Sequence, residues 1–448
     1  MQNLKYITFV PFANFNLWDT KRYTSKMITS TFPIVSLESC IVEQNKKYKI
    51  FEEEEKEFGI LGVNNKEGIF DAYTQKGKEI NQPYKKMETG WLAYNPYRIN
   101  VGSIGIKLKE HQNDYISPAY VVFSCNEKLL PEFLFFLFKT SVFNTVINES
   151  TTGSVRQNLT FETLKSIQIP LPTVEEQRKI IANFNTKQQI AKQQIEKVKS
   201  LEAEVESYLF EVLGISIEDD TKDKKKGFKL VQYKNVERWA VDHLNKYSKM
   251  SFLFNGKYQP VKLKELILSY QYGLSEKAEV ENIGIPMLRM NNIFNSELDT
   301  KNLKYIKKTT SIDKYILNIG DILFNRTNSK ELVGKTAIFQ EKDTFTFASY
   351  LIRVVINQNI ADNFYINHLF NTSILQIQKD MVSRQITGQA NINAQEMQDF
   401  LFPLPPIEIQ KQIASHINSI KAQIRELTQL SAKNKEEAIV EFEKEIFK

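Results

Sequence analysis

Two short polar stretches hold side chains suited to reading planar, hydrogen-bonding ligands. The first offers Asn95, Arg98, Asn100 and Ser103 within YNPYRINVGSIG, directly after the apolar run Trp91, Leu92, Ala93. The second offers Asn325, Arg326, Thr327, Asn328 and Lys330 after Ile322, Leu323, Phe324. An arginine fork matches the two major-groove acceptors of guanine, an Asn or Gln amide matches adenine, and a lysine suits phosphate. A second surface of the same chemistry lies beside two Thr-Gly pairs. It comprises Arg156, Gln157 and Asn158 after Thr152-Gly153, and Arg384, Gln385, Gln389 and Asn391 around Thr387-Gly388. A third, weaker set is Asn64-Asn65 and Arg289 with Asn291-Asn292. Ordinary turn chemistry is the competing reading throughout, because Asn, Gly and Ser populate turns whatever the ligand.

Covalent chemistry finds no foothold. The sequence has no GxGxxG opening a helix, no GxxxxGK[ST] and no GxSxG, so phosphate cradles and nucleophile elbows are missing. His111, His243, His368 and His416 lack ligand spacing, and Cys40 and Cys125 form neither a CxxC site nor a disulfide framework. No catalytic, metal or cofactor residue is therefore expected. The acidic run Glu52 to Glu55 reads as a solvated face, since consecutive like charges repel. Asn95-Pro96-Tyr97 is similar to the Asn-Pro-Pro-Tyr motif of amino-methyltransferases but lacks its second proline and any glycine-rich cofactor loop. A turn leading into a strand is the better reading.

The elements that position these residues begin with size. A chain of 448 residues suits two or three domains, and 42% hydrophobic with 12% aromatic residues excludes wholesale disorder. The densest apolar stretch, Phe133 to Phe138, is far too short to span a bilayer, and the N-terminus lacks a signal-peptide pattern. A soluble, cytoplasmic protein is expected. The net charge of +6 permits a nucleic-acid partner without requiring one.

The chain repeats itself. Ile169 to Gln177 (IPLPTVEEQ) returns as Phe402 to Gln410 (FPLPPIEIQ), an offset of 233 residues. Pro170, Leu171, Pro172, Glu175, Gln177 and Ile180 all meet identical counterparts. Leu137-Phe138 and Thr140-Ser141 match Leu369-Phe370 and Thr372-Ser373, Gly90 and Asn95 match Gly320 and Asn325, and Tyr120 falls opposite Tyr350. Roughly 18–213 and 239–447 are two copies of one unit.

Each copy has the same grammar. Short β-branched and aromatic runs broken by Gly, Asn and Pro predict a strand-rich globule. A helix follows at 131–147 and again at 361–378, and then proline stops regular structure. Each copy ends in a long polar helix. Thr173 is placed to cap the first, which runs about 40 residues, or about 60 Å. Phe184, Ala191, Val198, Val205 and Val212 recur every seven residues, and Ile413, Ile417, Ile420, Ile424 and Leu427 alternate four and three apart. Such spacing predicts a coiled-coil seam, most simply an antiparallel pair between the two helices. Glu218 to Gly227 reads as a charged linker. The predicted fold is thus α+β with a pseudo-two-fold internal repeat. Its parts are a domain at 1–169, helical spacer at 170–216, second domain at 217–402 with linker 217–230, and terminal helical spacer at 403–448.

Two related globules joined by a rod of fixed length match the dyad of duplex DNA, with divergent surfaces reading divergent half-sites. The paired PLP-x-x-E-x-Q segments leading into long helices after Thr-Gly loops resemble the specificity subunit of Type I restriction-modification systems. The resemblance covers nearly the whole chain, and YNPYRINVGSIG (94–105) is similar to a loop-strand element of that family's target-recognition domains. It implies a non-catalytic subunit that binds a bipartite, asymmetric double-stranded DNA target with a fixed gap. It further implies docking of two modification subunits that carry S-adenosylmethionine and methylate adenine, and through them restriction-translocation subunits. Two other readings stand beside it: a stand-alone DNA methyltransferase or nuclease, and a coiled-coil scaffold. Missing catalytic constellations weigh against the first, and the large duplicated globules against the second.

Overall fold

The structure is a computed structural model. It describes residues 28–150, 158–216 and 250–447, apart from 277, 280–282, 295, 308, 309 and 387, and apart from the side chains of 310, 311 and 384–386. The linker at Glu218 to Gly227, Thr152-Gly153, Arg156 and Gln157 lie outside the described residues. Two compact units result, Met1–Ile195 with Thr428–Lys448, and Glu196–Leu427. Both long helices are divided between units.

The repeat is visible as one topology built twice. In the first unit a four-stranded antiparallel sheet runs Ile41–Glu43, Val121–Cys125, Leu92–Tyr94, Ile104–Ile106. In the second the order is Ile267–Tyr272, Leu351–Ile356, Ile322–Asn325, Thr336–Ile338, again antiparallel. A two-stranded pair closes each globule, Ile34–Ser36 with Gln168–Pro170 and Pro260–Lys262 with Leu401–Pro403. A further sheet in each unit holds one parallel pairing, Glu57–Asn64 with Tyr115–Ile116 and Ile285–Leu288 with Thr346–Phe347. Val, Ile, Leu and Phe fill these strands because pleated, buried surfaces accept β-branched and aromatic side chains. Leu92, Tyr94, Phe123, Ile322, Phe324 and Ile352 are all fully buried.

The helices expected at 131–147 and 361–378 are each two. They run Pro131–Leu137 then Ser141–Ser150, and Asn363–Phe370 then Ser373–Val382. Threonine makes the break. Thr140 Oγ1 donates to Leu137 O at 2.6 Å and accepts from Phe143 N, ending one helix and starting the next, and Thr372 Oγ1 donates to Leu369 O at 2.7 Å.

The long helices span Val174–Leu213 and Ile407–Ile446. Thr173 begins the first through a reciprocal box, donating its N–H to Glu176 Oε2 at 2.8 Å while its Oγ1 accepts from Glu176 N at 3.4 Å. Gly214 ends it in a left-handed conformation, φ 62°, with Ile215 N–H on Phe210 O at 2.9 Å.

Antiparallel pairing of the helices is seen within each unit. In the first, Phe184 meets Phe442 edge-on at 5.9 Å, Lys187 pairs with Glu441 at 2.6 Å, and Ser431 Oγ donates to Ala191 O at 3.0 Å. In the second, the Tyr208 and His416 rings meet at 4.2 Å, tilted by 46°, and Leu209 and Leu213 share a core with Ile413 and Ile417. The seam departs from strict heptads after Val198. Leu201, Leu209 and Leu213 become the buried positions, while Val205 and Val212 are half-buried. A straight helix drifts about 20° per heptad, and its last turns here pack on a globule instead of a partner helix alone.

Candidate nucleic-acid interface

In the second unit the two polar sets are one ribbon. Thr327–Asn328, Gln389–Asn391 and Arg384–Ile386 form a three-stranded antiparallel sheet, with Asn391 opposite both Thr327 and Arg384. Gly388 turns the hairpin at φ 83°, a conformation that excludes most side chains. Ile392 N–H donates to Arg326 O at 2.9 Å, tying the hairpin to the preceding loop.

The side chains on this ribbon divide into frame and face. Asn325 is 1% exposed and its backbone bonds Lys335 O and Gly334 N, so it closes the loop base; its buried Oδ1 has no hydrogen-bond partner among the described residues. Arg326 lies with its guanidinium 5.0 Å above the Tyr272 ring and reaches Ser349 O at 3.4 Å and Asn391 Oδ1 at 3.5 Å. It is largely held by the fold. Asn328 is half-buried, its Oδ1 accepting from Ser329 N at 2.8 Å. Lys330 and Gln389 are exposed. Arg384 has its backbone in the ribbon.

The first unit builds the matching loop more tightly. Asn95 N–H donates to Ser103 O at 3.0 Å, as Asn325 N–H does to Lys335 O at 2.9 Å, and Gly102 and Gly334 take positive φ at equivalent places. Asn95 Oδ1 accepts from Tyr97 N at 3.0 Å, a turn made by an Asn side chain, which agrees with the reading of Asn95-Pro96-Tyr97 as a turn. Ser103 is 3% exposed with its hydroxyl on Val63 O at 3.2 Å, so its donor belongs to the core. Asn100 is half-buried, and Arg98 is exposed beside Tyr97 and Val101, each 57% exposed. Lys139 supports the loop from behind, its Nζ donating to Gly102 O at 3.5 Å, and burial holds its pKa below the ordinary lysine value. Asn158 sits next to this loop through Leu159 N–H on Pro96 O at 3.0 Å.

The third set serves turns: Asn64 Oδ1 accepts from Lys66 N and Glu67 N, and buried Asn292 donates to Asp299 O at 2.8 Å. Glu55 of the acidic run is exposed and pairs with Lys78 at 2.8 Å and Lys76 at 3.1 Å. No cluster of three or more His, Cys, Asp or Glu among the described residues could hold a metal ion, and none of their helices is long and apolar enough to cross a membrane. Sequence reasoning missed Tyr97 and Tyr350 as exposed aromatics flanking the loops; an aromatic inside a polar, turn-forming segment was the available signal.

The Type I restriction modification DNA specificity domain profile matches residues 42–200 and again 255–436, once on each copy. The chain belongs to this family. The specificity subunit of the type I restriction enzyme MjaX of Methanocaldococcus jannaschii is 34% identical over 155 residues, 34% of this chain and 36% of that protein. The type I restriction enzyme EcoKI specificity subunit of Escherichia coli K12 is 20% identical over 304 residues, 66% of this chain and 60% of that protein. The chain thus spans little more than a third and three fifths of these relatives' lengths. A solved chain, described with the complex assembly and conformational transition of the type I R-M system, has the same fold. It gives a TM-score of 0.55 at 16% identity, covering 94% of this chain and 97% of that one.

Proposed function

We propose that this protein is the non-catalytic DNA-specificity subunit of a Type I restriction-modification complex, each globule reading one half of a bipartite, asymmetric target. The observation that carries the reading is the doubled specificity domain whose two copies place equivalent, glycine-closed polar loops after the same strand, Leu92–Tyr94 and Ile322–Asn325. Arg98 on one loop, and Asn328, Lys330 and Gln389 on the other ribbon, carry the exposed or half-exposed donors that base edges and phosphates require. Duplication with divergence at these positions suits two different half-sites.

In this reading the long helices fix the gap and dock two modification subunits, which bring S-adenosylmethionine and transfer the methyl group to adenine. Restriction-translocation subunits join through them. This chain contributes positioning and sequence discrimination.

The test is methyl transfer by the chain co-purified with the modification subunit encoded beside it, each protein also assayed alone, with modified bases mapped on genomic DNA. Adenine methylation only by the complex, in one split asymmetric motif, is the expected result. Methylation by this chain alone would overturn the non-catalytic assignment.

A further inference from the structure

The second unit has a cavity of about 470 Å³, partly open to solvent, that none of the proposed reading residues lines. One wall is the second long helix, which presents Asn418, Lys421 and Arg425, three and four residues apart and so on one face. The helix Asn363–Phe370 lines it through Phe364, Asn367 and His368, and the segment Ser296–Leu298 adds Glu297.

The charges of this cavity are incompletely matched. Arg425 Nη1 is paired with Glu297. Lys421, one turn earlier, is half-buried and has no hydrogen bond or ion pair among the described residues. Glu341 also lines the cavity, and Glu297 is already engaged by Arg425. His368 is 5% exposed; its Nε2 meets Asn418 Oδ1 at 2.9 Å, and its Nδ1 has no partner. With Asn418 Oδ1 accepting, Nε2 carries the proton and Nδ1 is a bare acceptor. Lys421 is a half-buried cation with no carboxylate bonded to it, open to an anion that enters the cavity, while the buried His368 acceptor is a cost carried by the fold.

The first unit shows that the fold does not demand this arrangement. Where the second has His368, the first has Phe136, stacked on Phe184 at 4.0 Å and edge-on to Phe442 at 6.0 Å. Under the 233-residue offset, Lys421 corresponds to Gln188. The same junction is thus built from aromatic rings in one copy and from polar groups around a cavity in the other.

We propose that this cavity is a binding site for a small phosphate-bearing molecule, with the oxyanion against Lys421 and hydroxyl groups against Asn367 and Asn418. The cavity is much larger than a bare phosphate, and its amide lining suits a hydroxylated body. Burial holds Lys421 down to about 8, Glu297 raising it and Arg425 lowering it further, which is the state an arriving anion reverses.

The experiment is thermal unfolding of the full chain without DNA at pH 7, in about 10 mM inorganic phosphate or glucose 6-phosphate against chloride of equal ionic strength. A rise of about 2–4 °C is expected for at least one of the two, and its loss in Lys421→Met. A rise with phosphate alone identifies the free anion as sufficient, and a larger one with the sugar phosphate identifies the ester. No rise with either, or an equal rise in Lys421→Met, overturns the site. Should Lys421→Met fail to fold, ¹³C-methylated lysines of the native chain are titrated by NMR, with Lys421→Arg assigning the resonance. Saturating ligand is expected to move that titration up by about one pH unit; an unmoved titration overturns the proposal.

Discussion

Glu206 Oε1 accepts the backbone N–H of Ser373 at 2.9 Å, across 167 residues of chain. Ser373 opens the helix Ser373–Val382, whose first N–H groups lack intrahelical partners and form its positive end. In the first unit Glu443 accepts the N–H of Ser141 in the same way. Each globule's second helix is therefore capped by an acid from the far end of the other repeat's long helix. Glu206→Ala is expected to lower the unfolding free energy by about 1–2 kcal/mol in urea titrations. Ser373→Pro removes the N–H at a first helical position, which proline tolerates. In that background Glu206→Ala should cost less than half as much. A full cost there would show that the carboxylate acts some other way.

Gln177 and Gln410 make the same three-bonded clamp where each long helix begins. Gln177 accepts from Leu130 N at 2.8 Å and donates to Lys128 O and Pro172 O, both at 2.9 Å. Gln410 accepts from Asp362 N at 2.9 Å and donates to Ile360 O at 3.3 Å and Pro405 O at 2.8 Å. Both are fully buried. Gln177→Leu leaves one donor and two acceptors unsatisfied and should cost about 3 kcal/mol. Hydrogen exchange of Leu130 N–H in this variant should rise along with global instability, whereas unchanged protection there would remove the clamp from the account.

Much of this design is legible in residues and some is not. The repeat follows from Pro170, Pro172 and Gln177 finding Pro403, Pro405 and Gln410, because a stop, a helix start and a clamp need those types at that spacing. The two helices at 131–150 were hidden because nothing in Thr140 itself says that its hydroxyl will bond backward. The ribbon was hidden too. Residues 327–328 and 389–391 pair across about sixty residues, and such pairing depends on register and not on local pattern. Ser103 and Asn325 have the composition of a reading surface, yet both sit at the buried loop base, Ser103 with its hydroxyl on Val63 O and Asn325 at the end of a strand buried throughout.

The second unit's ribbon predicts a division of labour in DNA binding. Lys330→Ala should weaken binding of the assembled complex similarly on all sequences and reduce the salt slope by about one. Gln389→Ala should relax preference at one position of one half-site, by about 1–3 kcal/mol between bases, without moving the other half-site. Ser103→Ala, whose hydroxyl serves Val63 O, should change stability by about 1 kcal/mol and leave the recognised sequence unchanged. Methylation mapped with each variant separates these outcomes, and loss of preference in both halves from Gln389→Ala would contradict independent reading.

His368 makes the second unit sensitive to acid. Burial holds its pKa down at about 3, against 6.5 for an ordinary histidine, with the Lys421 charge lowering it further and the Asn418 bond partly opposing. The unfolded chain therefore binds a proton between pH 6.5 and 3 that the folded chain refuses, so stability falls as pH drops through that window. Above pH 6.5 both states are neutral and the penalty vanishes. At pH 4 the penalty is about 3 kcal/mol. His368→Phe, which installs the first unit's residue, removes the titration. The difference in unfolding free energy between pH 7 and pH 4 should then shrink by about that amount relative to the native chain, measured by urea titration at each pH. An unchanged difference would mean that His368 reaches water in the native state and titrates as it does unfolded.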